Sequence, residues 1–244
     1  MWIDNDLLRI GYLPVVIIPL LLALFVTDLK LIQIVPDIIG WSFLLLSGNL
    51  MNDYIDMDRN LPLGKTGIAT LSITFFIFGI WILRNAIFYA LTFSIAGFFY
   101  NLKLKKIGYL ELLLLGIVAL MPYLSLTKNI DWNLLPIIVT LGAISEFIDK
   151  MLDEKNYKKI SKQLNFVFFP LLIISIIFNV YLIIIDKFYI FLTPLIILLF
   201  GITFFLSKGY FKKPRLSMKI SGVYTCLILL FYLIAVLAQT GKII

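Results

Sequence analysis

Apolar residues fall into nine long stretches along this chain of 244 residues: roughly 10–27, 32–52, 67–83, 86–101, 109–127, 132–148, 164–185, 188–206 and 219–238. Most are about the length a helix needs to cross the ~30 Å hydrocarbon core of a bilayer, the fourth and sixth being short for it. The third and fourth are separated by little more than Arg84-Asn85, a very tight turn. Hydrophobic residues make up 61% of the chain, against ~45–50% in an ordinary soluble domain. Spans, rather than a water-excluded globular core, therefore set the architecture. The expected fold is all-α: a polytopic membrane protein of nine transmembrane helices, with residues 1–244 forming a single membrane domain.

Nine spans place the two termini on opposite sides, and the cationic residues say which side is which. The segment before the first span and the loops after spans two, four, six and eight hold sixteen of the twenty-one Lys and Arg. The other five are Lys30, Arg84, Lys128, Lys187 and Lys242, one in each remaining region. Loops rich in Lys and Arg stay in the cytoplasm, so the N-terminus is expected inside and the protein in the cell membrane. The same placement explains most of the net charge of +7 without a nucleic-acid partner. The first six residues are acidic rather than basic, and no cleavable signal is expected.

Two absences narrow the chemistry. The chain has no His and a single Cys, Cys226, inside an apolar run. A His base, a Ser-His triad, a His-ligated metal and an intrachain disulfide are all excluded. Carboxylates, amides, hydroxyls, Lys and Arg remain.

Those groups are not scattered. Where the second apolar run ends, the chain reads Gly48-Asn49-Leu50-Met51-Asn52-Asp53-Tyr54-Ile55-Asp56. If the run continues as a helix, Asn49, Asn52, Asp53 and Asp56 fall at i, i+3, i+4 and i+7, on one face. Further on, Glu146, Asp149 and Asp153 repeat the pattern at i, i+3 and i+7. Seven of the fourteen acids lie in or beside these two places. One such cluster is equally well read as a solvated helix end, but two matched clusters on the same side favour a site. Oxygen donors without nitrogen or sulfur suit Mg²⁺, which binds through a few carboxylates together with substrate phosphates. Basic loops alternate with the acidic ones, and their Lys and Arg are placed to take further phosphate oxygens. Cations around a diphosphate stabilise the charge that develops as its C–O bond breaks. The remainder of such a substrate can be long and apolar, lying among the helices, as in a polyprenyl diphosphate.

In span number and in three loop motifs the chain resembles the UbiA superfamily of intramembrane prenyltransferases. The family's first motif, N-D-x-x-D-x-x-x-D, corresponds to Asn52-Asp53-Tyr54-Ile55-Asp56-Met57-Asp58-Arg59-Asn60. Its Y-x-x-x-L-K-R/K loop corresponds to the stretch from Tyr100 to Lys106, and its second acidic motif to Glu146 through Asp153. The last Asp of the first motif is Asn60 here. The Arg-Pro-rich stretch that usually follows is missing, which leaves Lys65 as the nearest replacement for a phosphate-binding Arg.

The resemblance implies a Mg²⁺-dependent transferase that moves a prenyl chain, with geranylgeranyl expected, from its diphosphate to an acceptor. It makes Asn52, Asp53, Asp56, Asn60, Glu146, Asp149 and Asp153 metal ligands. Asp53, Asp56, Asp149, Asp153 and Tyr100 are the catalytic candidates. Asn49, Asn52, Lys65, Lys103, Lys105, Lys106 and Lys150 are expected to bind substrate. Tyr100 is singled out by its motif position, its ring face being suited to a carbocation. The Tyr100–Lys106 loop and the Ile- and Lys-rich composition point to the archaeal branch that makes digeranylgeranylglyceryl phosphate. The acceptor is then geranylgeranylglyceryl phosphate, and membrane lipid is the surroundings. An aromatic acceptor, such as a quinone or haem precursor, is the alternative. A non-catalytic lipid-binding descendant of the fold is a second, and Asn60 is what it would predict. A cation transporter fits less well, because its acids are expected near the membrane midplane.

Overall fold

The helix over Pro14–Val26 shows how the chain begins its turns in an apolar setting. Pro14 occupies its first position, where the missing N–H is no loss. Thr27 ends it in extended conformation, its Oγ1 donating back to the Ala23 carbonyl at 2.8 Å. The computed structural model describes residues 12–56, 63–102, 114, 116–128, 130–132, 134–135, 138–139, 173 and 177. Five α-helices are assigned there: α1 (Pro14–Val26), α2 (Leu31–Asp56), α3 (Gly64–Ile82), α4 (Ile87–Leu102) and α5 (Leu120–Leu126). No strand occurs among the described residues.

Helix α2 is the long axis of this part of the protein. At its start the Gln33 side chain accepts from the Lys30 backbone N–H at 2.7 Å, one half of a capping box. Pro36 lies inside the helix and has no N–H to give the Ile32 carbonyl, yet the helix continues past the apolar run into the polar motif as far as Asp56. A 3₁₀ turn at Arg84–Ala86 joins α3 to α4, as the short Arg84-Asn85 junction predicts. Three stretches, Leu31–Ile55, Gly64–Ile82 and Arg84–Leu102, are long and apolar enough to cross a membrane. The predicted span at 164–185 is described only at Ile173 and Ile177, both helical and exposed. The spans at 188–206 and 219–238, and with them the count of nine, lie outside the described residues.

Helices α2 and α3 form an antiparallel hairpin whose contacts step outward in register. Gly40 lies against Leu83 and Ile82, and Gly79 against Leu44. Next come Ser47 with Ser72, then Leu50 with Ile68, and finally Tyr54 with Lys65. At the tight end the two glycines let the backbones approach: a Cβ on Gly79 would stand 3.1 Å from the Gly40 carbonyl oxygen. Small residues at a crossing are how membrane helices gain packing, since lipid tails supply no hydrophobic drive between them. In the middle, Ser47 Oγ donates to the Ser72 carbonyl and Ser72 Oγ to the Ser47 carbonyl, each at 2.9 Å. These reciprocal bonds fix the register where no water competes.

Helix α1 is apolar all round and buried, the mark of an interior helix. It packs against α2 and α5, and Trp41 of α2 meets Phe93 of α4 edge to face at 5.3 Å. The opposite faces of α3 and α4 are apolar and open. Ile73, Ile77 and Trp81 form one stripe, with Trp81 66% exposed. Phe88, Ile95 and Phe99 form another, with Phe88 73% exposed. Such stripes of large apolar side chains belong against lipid.

Candidate functional site

Because α2 stays helical to Asp56, Asn49, Asn52, Asp53 and Asp56 take the i, i+3, i+4, i+7 positions that the spacing requires. Asn52 is 8% exposed and Asp53 only 5%. A solvated helix end would leave both in water, so their burial departs from the simplest alternative reading of this cluster. Burying an ionised carboxylate costs several kcal/mol unless hydrogen bonds or a cation answer it. Asn49 is half-buried, and its Nδ2 is buried with no acceptor among the described residues. For Asp56 the backbone position alone is described.

Two further elements close on this end of α2. Helix α3 begins at Gly64, whose φ of 63° lies in the left-handed region that a residue with a Cβ adopts only under strain. The next residue, Lys65, is exposed and sets its Nζ 4.9 Å from the centroid of the Tyr54 ring, a cation–π contact. The ammonium thus rests on the side chain of the residue that follows Asp53, and Lys65 stands at the positive end of the α3 dipole, whose first turn carries no acid. Both features favour an anion there.

The last turn of α4 arrives from the other direction. Tyr100 is half-buried. Beside it Asn101, 8% exposed, donates from Nδ2 to the Gly48 carbonyl at 3.3 Å. Gly48 is one helical turn before Asn52, so the head of the Tyr100–Lys106 motif is docked on the head of the first acidic motif.

Asn49, Asn52, Asp53, Lys65 and Tyr100 are thereby gathered around the end of the α2–α3 hairpin. Asn60, Lys103, Lys105, Lys106, Glu146, Asp149, Lys150 and Asp153 lie outside the described residues, and so does the expected meeting of the two acidic clusters. Among the described residues no three acids or cysteines come together as a metal cage. The donors in place are amide and carboxylate oxygens, the hard set that suits Mg²⁺ and leaves room for phosphate and water to complete it. Two residues had no assigned role in the sequence: Tyr54, which carries Lys65, and Asn101. A buried amide at the end of an otherwise apolar helix is the signal that marks Asn101, since such amides usually bond between helices.

These features define an α-helical integral membrane protein with oxygen donors and a cation collected at one end of a helix hairpin. No protein-family model matches the sequence, and no curated protein is significantly similar to it. Its fold, however, is that of UbiA homologues. The structure of a UbiA homologue from Archaeoglobus fulgidus bound to Cd²⁺ superposes with a TM-score of 0.69 at 16% identity, over 95% of this chain and 98% of the other. The structure of a UbiA homologue from the same organism bound to GPP and Mg²⁺ gives the same TM-score and coverage at 15% identity. The UbiA-like architecture expected from the motifs is borne out as a fold.

Proposed function

We propose that the protein is an intramembrane prenyltransferase that takes a prenyl diphosphate in the presence of Mg²⁺ and passes the prenyl chain to a lipid acceptor. The observation that supports this most is the burial of Asn52 and Asp53 at the end of α2, in a fold shared with a homologue bound to GPP and Mg²⁺. Asn52, Asp53 and Asp56 are the ligands offered by the first motif, joined by Asn60 and by Glu146, Asp149 and Asp153 from the second. Mg²⁺, when bound there, supplies positive charge to the diphosphate leaving group.

The chain's own groups do the rest. Lys65, held over Tyr54 beside the α3 N-terminus, takes a phosphate oxygen, with Lys103, Lys105, Lys106 and Lys150 as further partners. The Asn49 amide offers a buried donor to the same anion. Tyr100 presents its ring to the allylic carbon, whose positive charge grows as the C–O bond breaks. The electron pair of that bond leaves with diphosphate. The acceptor hydroxyl oxygen then forms the new C–O bond to the prenyl carbon and releases its proton.

Geranylgeranyl as donor chain and geranylgeranylglyceryl phosphate as acceptor are the preferred substrates, on the Tyr100–Lys106 motif and the archaeal source of the structural relatives. The test is purified protein with geranylgeranyl diphosphate, Mg²⁺ and a panel of lipid-phosphate and aromatic acceptors, read by mass spectrometry. A prenylated lipid phosphate is the expected product. A prenylated aromatic alone would move the protein to the other acceptor class, and no product with any acceptor would favour a lipid-binding role.

The proposed orientation puts the N-terminus and the site in the cytoplasm of the cell membrane, on the sixteen-to-five bias of Lys and Arg. With Cys226 replaced by Ser, a Lys155→Cys variant should react with an impermeant maleimide only in inside-out vesicles. Labelling in right-side-out cells would overturn the orientation.

A further inference from the structure

We infer that Asn101 is a positioning residue that ties the last turn of α4, and with it Tyr100, to the metal-binding turn of α2. This rests on the prenyltransferase reading above and deepens it. The Asn101 amide crosses from α4 to α2 and donates to Gly48 O at 3.3 Å. Within α2 that carbonyl is already the i−4 acceptor for the Asn52 N–H. The backbone of α2 therefore does not need Asn101 to satisfy it. For the fold alone, an apolar side chain of the same size would serve at this 8%-exposed position, since it would bury no amide. What the amide adds is direction. It fixes the last turn of α4, which carries Tyr100, against the carbonyl one turn before Asn52.

Losing the donor frees the α4 end to drift relative to Asn52 and Asp53. The diphosphate must then be gripped by lysines and by metal-binding oxygens that no longer hold one spacing, and misplacement of about 1 Å can cost two orders of magnitude in an oriented reaction. Asn101 does not itself touch the reacting atoms. A residue that served only the fold would change how much protein is active, without changing the ligand concentrations that half-saturate it.

The experiment is a Mg²⁺ titration of binding of a non-hydrolysable thio-analogue of geranylgeranyl diphosphate, followed by calorimetry. It uses detergent-solubilised wild type, Asn101→Leu, Asn101→Asp, Asn101→His and Asp53→Asn, with thermal midpoints recorded alongside. We expect Asn101→Leu and Asn101→Asp to raise the half-saturating Mg²⁺ and the analogue Kd by about tenfold, with the thermal midpoint of Asn101→Leu close to wild type and that of Asn101→Asp lowered by the buried carboxylate. Asn101→His puts a ring N–H at a similar reach and should recover most of the loss. Wild-type binding that depends on Mg²⁺ and is unmoved in Asn101→Leu and Asn101→Asp would overturn the inference while sparing the prenyltransferase reading. A fall in binding capacity at unchanged Kd would also overturn it, as the mark of a structural role. A wild type that binds no analogue, or binds it no better than Asp53→Asn, would overturn both.

Discussion

Asp53→Asn is expected to lower prenyl transfer by about three orders of magnitude, a barrier increase of ~4 kcal/mol, while the protein still folds. The substitution keeps shape and removes one charge at a carboxylate that is only 5% exposed. Hard cations bind more tightly as anionic oxygens are added, and an amide contributes only its dipole. The lost affinity reappears as charge left uncompensated on the leaving diphosphate. Folding should not suffer. The neutral amide needs no counter-cation in a buried setting, so the metal-free variant should melt within a few degrees of wild type. Product formation over a Mg²⁺ series, with melting curves in detergent, decides the matter. Transfer within tenfold of wild type at saturating Mg²⁺ would remove Asp53 from the site, and an unfolded variant would show the carboxylate to be structural.

That prediction was reachable from the sequence because the features behind it are local. The apolar run continues as a helix into Gly48–Asp56 in spite of Pro36 and Gly40 near its start, and helical spacing then decides which polar residues share a face. The turn at Arg84 was legible for the same reason, being two polar residues between two spans. What stayed hidden depends on partners far along the chain. Hydropathy cannot say that α1 is buried among helices rather than facing lipid, because lipid tails are as apolar as leucine. Ser47 and Ser72 are 25 residues apart and Gly48 and Asn101 are 53 apart, and nothing in either neighbourhood names the other. Lys65 drew notice as a stand-in for a missing Arg, but its seat on Tyr54 needed the hairpin to be folded first. Site chemistry was thus written along single helices, and the spacing between helices was written in small and polar residues that look unremarkable one at a time.

The crossing of α2 and α3 makes this testable. Gly79→Ala should destabilise the protein by about 1–3 kcal/mol, even though Ala is the better helix former by ~1 kcal/mol. The added methyl would stand 2.8 Å from Leu44 Cγ and Cδ2 and 3.1 Å from the Gly40 carbonyl oxygen. Two of those three atoms belong to one side chain, so most of the clash can be removed at its source. Leu44→Ala alone empties a buried position, at a cost of about 2–5 kcal/mol. Combined with Gly79→Ala, it leaves the new methyl facing the space that Leu44 vacated. The double variant should therefore be more stable than the two single losses predict when added, by about 1 kcal/mol or more. Thermal unfolding in detergent of the four proteins measures the coupling. The same variants bear on the site, because the register runs from Gly79 and Leu44 through Ser47 and Ser72 to the turn carrying Asn52 and Asp53. Gly79→Ala should weaken Mg²⁺-dependent diphosphate binding, and Leu44→Ala should restore part of it in the double variant. Strictly additive losses in stability, or a Gly79→Ala protein as stable as wild type, would mean that this crossing does not set the hairpin.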